Sequence, residues 1–362
     1  MEIRIHAEPP RGPVQLPEPL GFGRVFTPHM FTEHWDEARG WHDAAIGPRQ
    51  PLVLDASAQV LHAGQAIFEG TKAYRRPDGR VQLFRPEANA ARFNRSASRM
   101  GMPELPVERF VEAIEALVGV DAGWVPSAEG ASLYVRPVMV ATEPTFEVRA
   151  ARSFLHYVIL SPSGPYFSGG FQPVGVRVAE EHIRAAPRGT GEAKTPGNYA
   201  ASLAAIEAAR AGGYQQVLWL DAVERRYVEE AGAMNVAFVV EGREIVTPAL
   251  SGSILHGITR DSVLRLAPDL GLGVREERLD IEAVLADVKR ARITEVFCMG
   301  TAAVIVPVNR IGHRGEDVAV GGAPDFPVAQ RLYRALTGIQ TGRAPDPYGW
   351  TRVVTVPERA EA

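Results

Sequence analysis

The stretch Arg188–Gly213 reads RGTGEAKTPGNYAASLAAIEAARAGG, and its reading decides the architecture. Three glycines, Gly189, Gly191 and Gly197, surround Lys194 in a loop that runs into an alanine-rich helix. Gly212 and Gly213 end that helix, since glycine takes the left-handed C-cap without strain. On one side GVRVAEE (175–181) reads as a strand, and on the other QQVLWLD (215–221) and AMNVAFVVE (233–241) do the same. Strands flanking a helical segment argue for a mixed α/β (α+β) architecture.

Toward the N-terminus, SPSGPYFSGGFQPVG (161–175) is dense in Gly, Pro and Ser, the composition of a connection between domains. Its aromatics Tyr166 and Phe167 suggest that it also faces a site. Before it come the β-rich runs ASLYVRPVMVAT (131–142) and RSFLHYVILSP (152–162). VERFVEAIEALVGV (107–120) is a helix whose Phe110, Val111, Ile114, Leu117 and Val118 face a core. VQLFR (81–85) is a strand ended by Pro86, which opens a helix with Arg92, Arg95 and Arg99 on one face. Toward the C-terminus, LDIEAVLADVKRAR (279–292) is amphipathic, with Asp280 placed to cap it. TEVFCMGTAAVIVPVNRI (294–311) is a strand, a turn and a second strand. The expected organisation is an N-terminal α/β domain at 1–163, a connecting loop at 164–175 and a C-terminal domain at 176–362.

The chain has 362 residues, enough for about two domains with real cores. With 39 basic against 43 acidic residues the net charge is −4, and the basic surplus of a nucleic-acid binder is missing. No apolar run approaches the roughly 20 residues of a membrane span, and the start MEIRIHAEPPRGP carries no signal-peptide core. One cysteine, Cys298, cannot form an internal disulfide, so a cytoplasmic location is expected.

Of the 39 basic residues only three are lysine: Lys72, Lys194 and Lys289. Arginine stays protonated near neutral pH and cannot act as a primary amine. Lys194, held among glycines, could form an imine with an aldehyde such as pyridoxal phosphate if its surroundings depress its pKa; taken locally, a surface-loop lysine is the alternative. SGSILHGITRDSV (251–263) offers a helix start at Gly257, Ile258 and Thr259 for a phosphate, with Arg92 as a charge partner. Glu229 and Glu230 alternate across a strand, so at most one of them faces a given site as partner of a pyridine nitrogen. The turn at 300–303 could hold a carboxylate on its N–H groups, or be a plain hairpin. His29, His34 and His42, spaced by five and eight, do not match helical zinc motifs, and no dinucleotide or P-loop glycine pattern occurs.

In order along almost the whole chain, LGFGRVFTPHMF, GWHDA, LHAGQAIFEGTKAY, QLFRPEANAARFNRSA, SLYVRPVMVATEPT, VILSPSGPYFSGG, GEAKTPGNYAASL, QVLWLDA, EEAGAMNVAFVV, LSGSILHGITRDSVL, EVFCMGTAAVIVPV and DPYGW resemble the branched-chain-amino-acid aminotransferases, pyridoxal-phosphate enzymes of fold type IV. The resemblance implies a smaller N-terminal domain and a larger C-terminal cofactor domain with a barrel-like sheet. It implies transamination of leucine, isoleucine and valine with 2-oxoglutarate by a ping-pong mechanism, with pyridoxal 5′-phosphate joined to Lys194 as an internal aldimine. It also implies a homodimer or a dimer-based oligomer, in which some pocket residues cross over between subunits.

By the same resemblance Lys194 is the imine lysine and proton shuttle. Tyr199 bonds the cofactor's 3-oxygen, and Glu230 rather than Glu229 partners the ring nitrogen. Arg92, Ile258, Thr259 and Thr301 hold the phosphate, while Thr301 and Ala302 hold the substrate α-carboxylate. Phe68, Lys72, Tyr134, Arg136, Tyr166 and Ala233 form the substrate pocket. Phe68 and Tyr166 suit a leucine side chain; Arg136 and Tyr134, two apart on one strand face, suit a glutamate side chain. Ala63 and Ala233 depart from residues common in relatives. Ala303 and Val306 stand where mammalian members have a redox cysteine pair.

Overall fold

In the computed structural model, which describes residues 2–7, 14–164, 171–321 and 325–356, the β-rich runs form strands and the periodic runs form helices. The backbone divides into two units. One comprises Met1–Ser168, Ala193–Pro196 and Gly338–Ala362; the other comprises Gly169–Glu192 and Gly197–Thr337.

The first unit is built on strands β1 (Arg4–Ile5), β2 (His29–Asp36), β3 (Gly40–Pro48), β4 (Ala66–Phe68), β5 (Thr71–Arg75), β6 (Val81–Phe84), β7 (Ser132–Ala141) and β8 (Ser153–Ser163). They run in the order β1-β3-β2-β8-β7-β5-β6, with Thr351–Val353 at the far edge and β4 added to β7. β7 and β8 pair antiparallel from Ser132–Ser163 to Ala141–Phe154. Helices α1 (Gln59–Ala63), α2 (Pro86–Arg99) and α3 (Val107–Val120) belong to the same unit. Phe110, Val111, Ile114, Leu117 and Val118 of α3 are all buried, joining Phe93 of α2 and Leu133, Val135, Val158 and Leu160 of the sheet in one core. Each such side chain contributes about 1.5–3 kcal/mol on burial. The arginine face of α2 divides: Arg92 is buried, whereas Arg95 and Arg99 are exposed.

The second unit holds β9 (Val174–Val178), β10 (Gln216–Leu220), β11 (Val228–Ala231), β12 (Met234–Val240), β13 (Glu244–Pro248), β14 (Gly273–Glu277), β15 (Ile293–Gly300), β16 (Val304–His313) and β17 (Glu316–Ala319). The order β11-β10-β9-β16-β15-β12 returns to β11 through a β11–β12 pairing, so six strands close a barrel. Closure leaves those strands no free edge. β13 and β14 extend from β12, and β17 from β16. Along the chain come α4 (Pro196–Ala200), α5 (Leu203–Ala211), α6 (Ile258–Leu266), α7 (Ile281–Lys289) and α8 (Pro327–Gln340). The single helix expected after Lys194 is thus two short ones, α4 and α5. Asp280 caps α7 by accepting from the N–H groups of Glu282 and Ala283, and Ile281, Val284, Leu285 and Val288 are buried as the periodicity predicts. Cys298 is fully buried in β15, and burial pushes its thiol up to about 12. Among the described residues, no helix is long and apolar enough to cross a membrane.

Candidate active site

Within the first unit, Lys194 is fixed by its backbone. Its N–H donates to Ser96 Oγ (2.9 Å) and its carbonyl accepts from Phe68 N (3.0 Å). The neighbouring Thr195 hydroxyl donates to the Ala66 carbonyl (2.9 Å). The half-buried side chain reaches over the Phe68 ring, with Nζ 4.9 Å from its centroid. The Arg136 guanidinium lies 4.7 Å from that centroid and 5.2 Å from the Tyr134 centroid, and its Nη2 donates to the Tyr134 hydroxyl (3.0 Å). Lys194, Phe68, Arg136 and Tyr134 are therefore one contiguous set, aromatic and cationic at once. Gly70 is required beside it, because a Cβ there would sit 2.0 Å from the Tyr134 hydroxyl. Lys72 lies opposite Tyr134 in the β5–β7 register, and burial lowers its pKa to about 8.

Arg92 is buried and forms a two-pronged pair with Glu69, Nε to Oε1 at 2.7 Å and Nη2 to Oε2 at 2.8 Å. Sequence reading did not anticipate Glu69, because its partner lies 23 residues away on α2. A guanidinium carries five N–H donors, so pairing with one carboxylate does not exhaust it.

In the second unit, Glu229 and Glu230 both leave solvent, on opposite faces of β11. Glu230 Oε1 accepts from Leu255 N (2.6 Å), and Oε2 pairs with Arg184 Nε at 2.7 Å. Asn235, opposite Glu230 in the β11–β12 register, donates to the Leu255 carbonyl (3.1 Å). Glu229 accepts instead from Ser251 Oγ (3.2 Å) and Ser253 Oγ, and burial raises its pKa. The turn holding Leu255 leads into α6. Its N-cap Gly257 is extended, and Ile258 and Thr259 are its first two residues, both buried. A side chain at Gly257 would place Cβ 1.9 Å from Asn235 Oδ1, so it would displace the Asn235 amide.

Tyr199 is half-buried on α4; its carbonyl accepts from Ser202 N (3.1 Å) and Ser202 Oγ (2.7 Å). One residue before it, Asn198 closes the glycine loop by accepting from Thr190 Oγ1 (2.7 Å) and donating to the Thr190 carbonyl (2.8 Å). Thr301 and Ala302 occupy the turn between β15 and β16, half-buried, and Ala233 is exposed in the β11–β12 turn. Tyr166 lies outside the described residues. Arg184, Asn235, Asn198 and Glu69 are the members that sequence reading missed. Glu69 and Asn198 stand beside a glycine and Asn235 in a strand, whereas nothing in the linear sequence marks Arg184.

Each unit by itself carries donor types that suit pyridoxal phosphate: the first a fixed primary amine and a buried arginine, the second a buried, cation-paired carboxylate and a glycine-opened helix start. The sequence pattern of the amino-transferase class IV family matches residues 66–311. The chain belongs to that family. It is 53% identical over 331 residues to a probable branched-chain-amino-acid aminotransferase of Streptomyces coelicolor, covering 91% of each chain. It is 50% identical over 336 residues to branched-chain-amino-acid transaminase 1 of Bacillus subtilis, covering 92% of this chain and 94% of that one. Its backbone is similar to that of the branched-chain amino acid aminotransferase of Thermobaculum terrenum in its pyridoxal-phosphate holo-form. The TM-score is 0.70 at 25% identity, over 89% of this chain and 98% of that one. The mixed α/β fold with two units and a closed barrel is thus that of the fold type IV enzymes.

Proposed function

We propose that the protein passes the amino group of L-leucine, L-isoleucine or L-valine to 2-oxoglutarate, giving branched-chain 2-oxo acids and L-glutamate, with pyridoxal 5′-phosphate as cofactor. Membership in the class IV amino-transferases and the names of its relatives support the reaction class. The observation that carries the reading is the Lys194 amine poised on the Phe68 ring, with the Arg136 guanidinium on the same ring.

When bound, pyridoxal phosphate supplies an aldehyde carbon and a protonated ring that draws electrons from the substrate Cα. Lys194 would hold the aldehyde carbon through its amine, and that amine would be the group that moves the proton at Cα. Glu230 keeps a proton on the ring nitrogen, and Tyr199 bonds the 3-oxygen. The phosphate is held by Arg92 and by Ile258, Thr259 and Thr301, where helix-start and turn N–H groups favour an anion. Thr301 and Ala302 hold the substrate α-carboxylate.

Phe68 and Lys72 wall an aliphatic side chain, while Arg136 and Tyr134 receive the distal carboxylate of glutamate. One pocket thus serves both half-reactions in turn. A homodimer in the cytoplasm completes the reading, and a lone buried cysteine fits a reducing compartment.

Purified protein given pyridoxal phosphate, leucine and 2-oxoglutarate should form glutamate, with parallel double-reciprocal plots as both substrates are varied. Intersecting plots, or a preference for D-alanine over leucine as donor, would overturn the reading. Lys194→Ala should lose about 100- to 10,000-fold in rate, the range of a removed proton-transfer group.

A further inference from the structure

We propose that Arg184 is a positioning residue that fixes Glu230 as an ionised, singly oriented partner for the cofactor's ring nitrogen; this rests on the proposed role of Glu230. Arg184 follows β9 and its side chain is only 6% exposed. It makes four contacts, all within the second unit. Nε pairs with Glu230 Oε2 at 2.7 Å. Nη1 donates to the Ser253 carbonyl at 2.7 Å, and Nη1 and Nη2 both reach the Gly191 carbonyl at 3.4 Å. The guanidinium thus ties four segments together: the loop after β9, the glycine loop, the turn leading to α6 and β11. That packing is tight, since a Cβ at Gly191 would sit 2.2 Å from the Ser253 carbonyl.

A buried carboxylate without a cation tends to take up a proton, because its charged form is the one that burial penalises. Arg184 supplies the cation, and the Leu255 N–H supplies a second donor to the other oxygen. Each carboxylate oxygen has two lone-pair directions. Arg184 on Oε2 and the Leu255 N–H on Oε1 together hold the carboxylate in one orientation. Arginine suits the place better than lysine, because Nε, Nη1 and Nη2 spread its contacts over a planar fork wider than one ammonium nitrogen.

The test is the protonation of the ring nitrogen, read by ¹⁵N NMR of labelled pyridoxal phosphate on the holoenzyme, together with the cofactor's Kd for the apoprotein. Arg184→Gln should move the ¹⁵N signal toward the unprotonated value and weaken Kd about 10-fold or more. Arg184→Lys should move the signal part of the way, restoring some of the loss. In a Glu230→Gln background, Arg184→Gln should add no further shift of the signal, because the two act as one unit.

An unchanged signal and Kd in folded Arg184→Gln, or an additive shift in the double variant, overturns the proposal. If Arg184→Gln does not fold, an unchanged signal and Kd in Arg184→Lys overturns it instead. Glu230→Gln separates the two failures. If it moves the signal while Arg184→Gln does not, only the role of Arg184 falls. If it leaves the signal unchanged, the reading of Glu230 itself falls.

Discussion

Lys72 shows how much one residue's surroundings can set. Its amine is buried on β5, and burial alone lowers its pKa from 10.5 to about 8. Between those two values the unfolded chain holds a proton that the folded chain has lost, so stability rises with pH across that window. The gain is about 3–4 kcal/mol at most, since one pKa unit is worth about 1.4 kcal/mol. Lys72→Met should remove this slope, seen as a difference in Tm between variant and wild type that narrows from pH 8 to pH 10. A constant difference across that range would mean the amine is solvated. Arg136 makes the second residue-scale prediction. Its replacement by Met should raise KM for 2-oxoglutarate about 10- to 100-fold, as expected for one lost charge-assisted contact, while leaving KM for leucine within a few-fold. Steady-state rates with each substrate varied in turn decide it. Lys72 and Lys194 were legible in the sequence because lysine is rare in this chain. Glu69 and Arg184 were not. Arg92 lies 23 residues from Glu69, Glu230 lies two strands beyond Arg184, and nothing local marks either pairing.

At the scale of elements, legibility followed period and punctuation. The α3 core face, the Pro86 start of α2 and the Asp280 cap of α7 each rest on residues within one or two turns, and each is present. The sequence after Lys194 predicts one continuous helix, yet the chain there forms two, α4 and α5. At the break, Ser202 bonds back to the Tyr199 carbonyl through both its N–H and its hydroxyl, which competes with helix continuation. Period alone places Arg92, Arg95 and Arg99 in one stripe on α2, and packing splits it: Arg92 is buried against Glu69 while Arg95 and Arg99 stay exposed. The Asp280 cap gives the element-scale prediction. Asp280→Ala removes an acceptor for two helix N–H groups and should cost about 1 kcal/mol. Amide exchange in the first turn of α7 should then quicken roughly fivefold while exchange in α3 stays unchanged. Equal quickening in both helices would show a global rather than a local loss.

Over the whole molecule, what escaped the sequence was topology. The barrel closes because β9 pairs in parallel with both β10 and β16, and β11 pairs with β12. Strand patterns name the members of a sheet but not their neighbours. Subunit assembly is the other property one chain does not display, though the surface of the first unit bears on it. Leu61, Phe146 and Val148 are 58%, 79% and 105% exposed. Their segments are bound together: Gln59 N–H donates to the Glu143 carbonyl, Thr145 N–H donates to the Ser57 carbonyl, and the His62 and Phe146 rings lie 5.0 Å apart. Large apolar side chains held out together on an ordered scaffold mark a contact surface. If the proposed homodimer forms there, the wild type should sediment at twice the 39.3 kDa chain mass. Phe146→Asp combined with Val148→Asp should sediment at the chain mass, because a buried, unpaired charge on each copy opposes association. A dimer that survives both substitutions would place the subunit contact elsewhere, and a monomeric wild type at micromolar concentration would remove the dimer from the proposed function altogether.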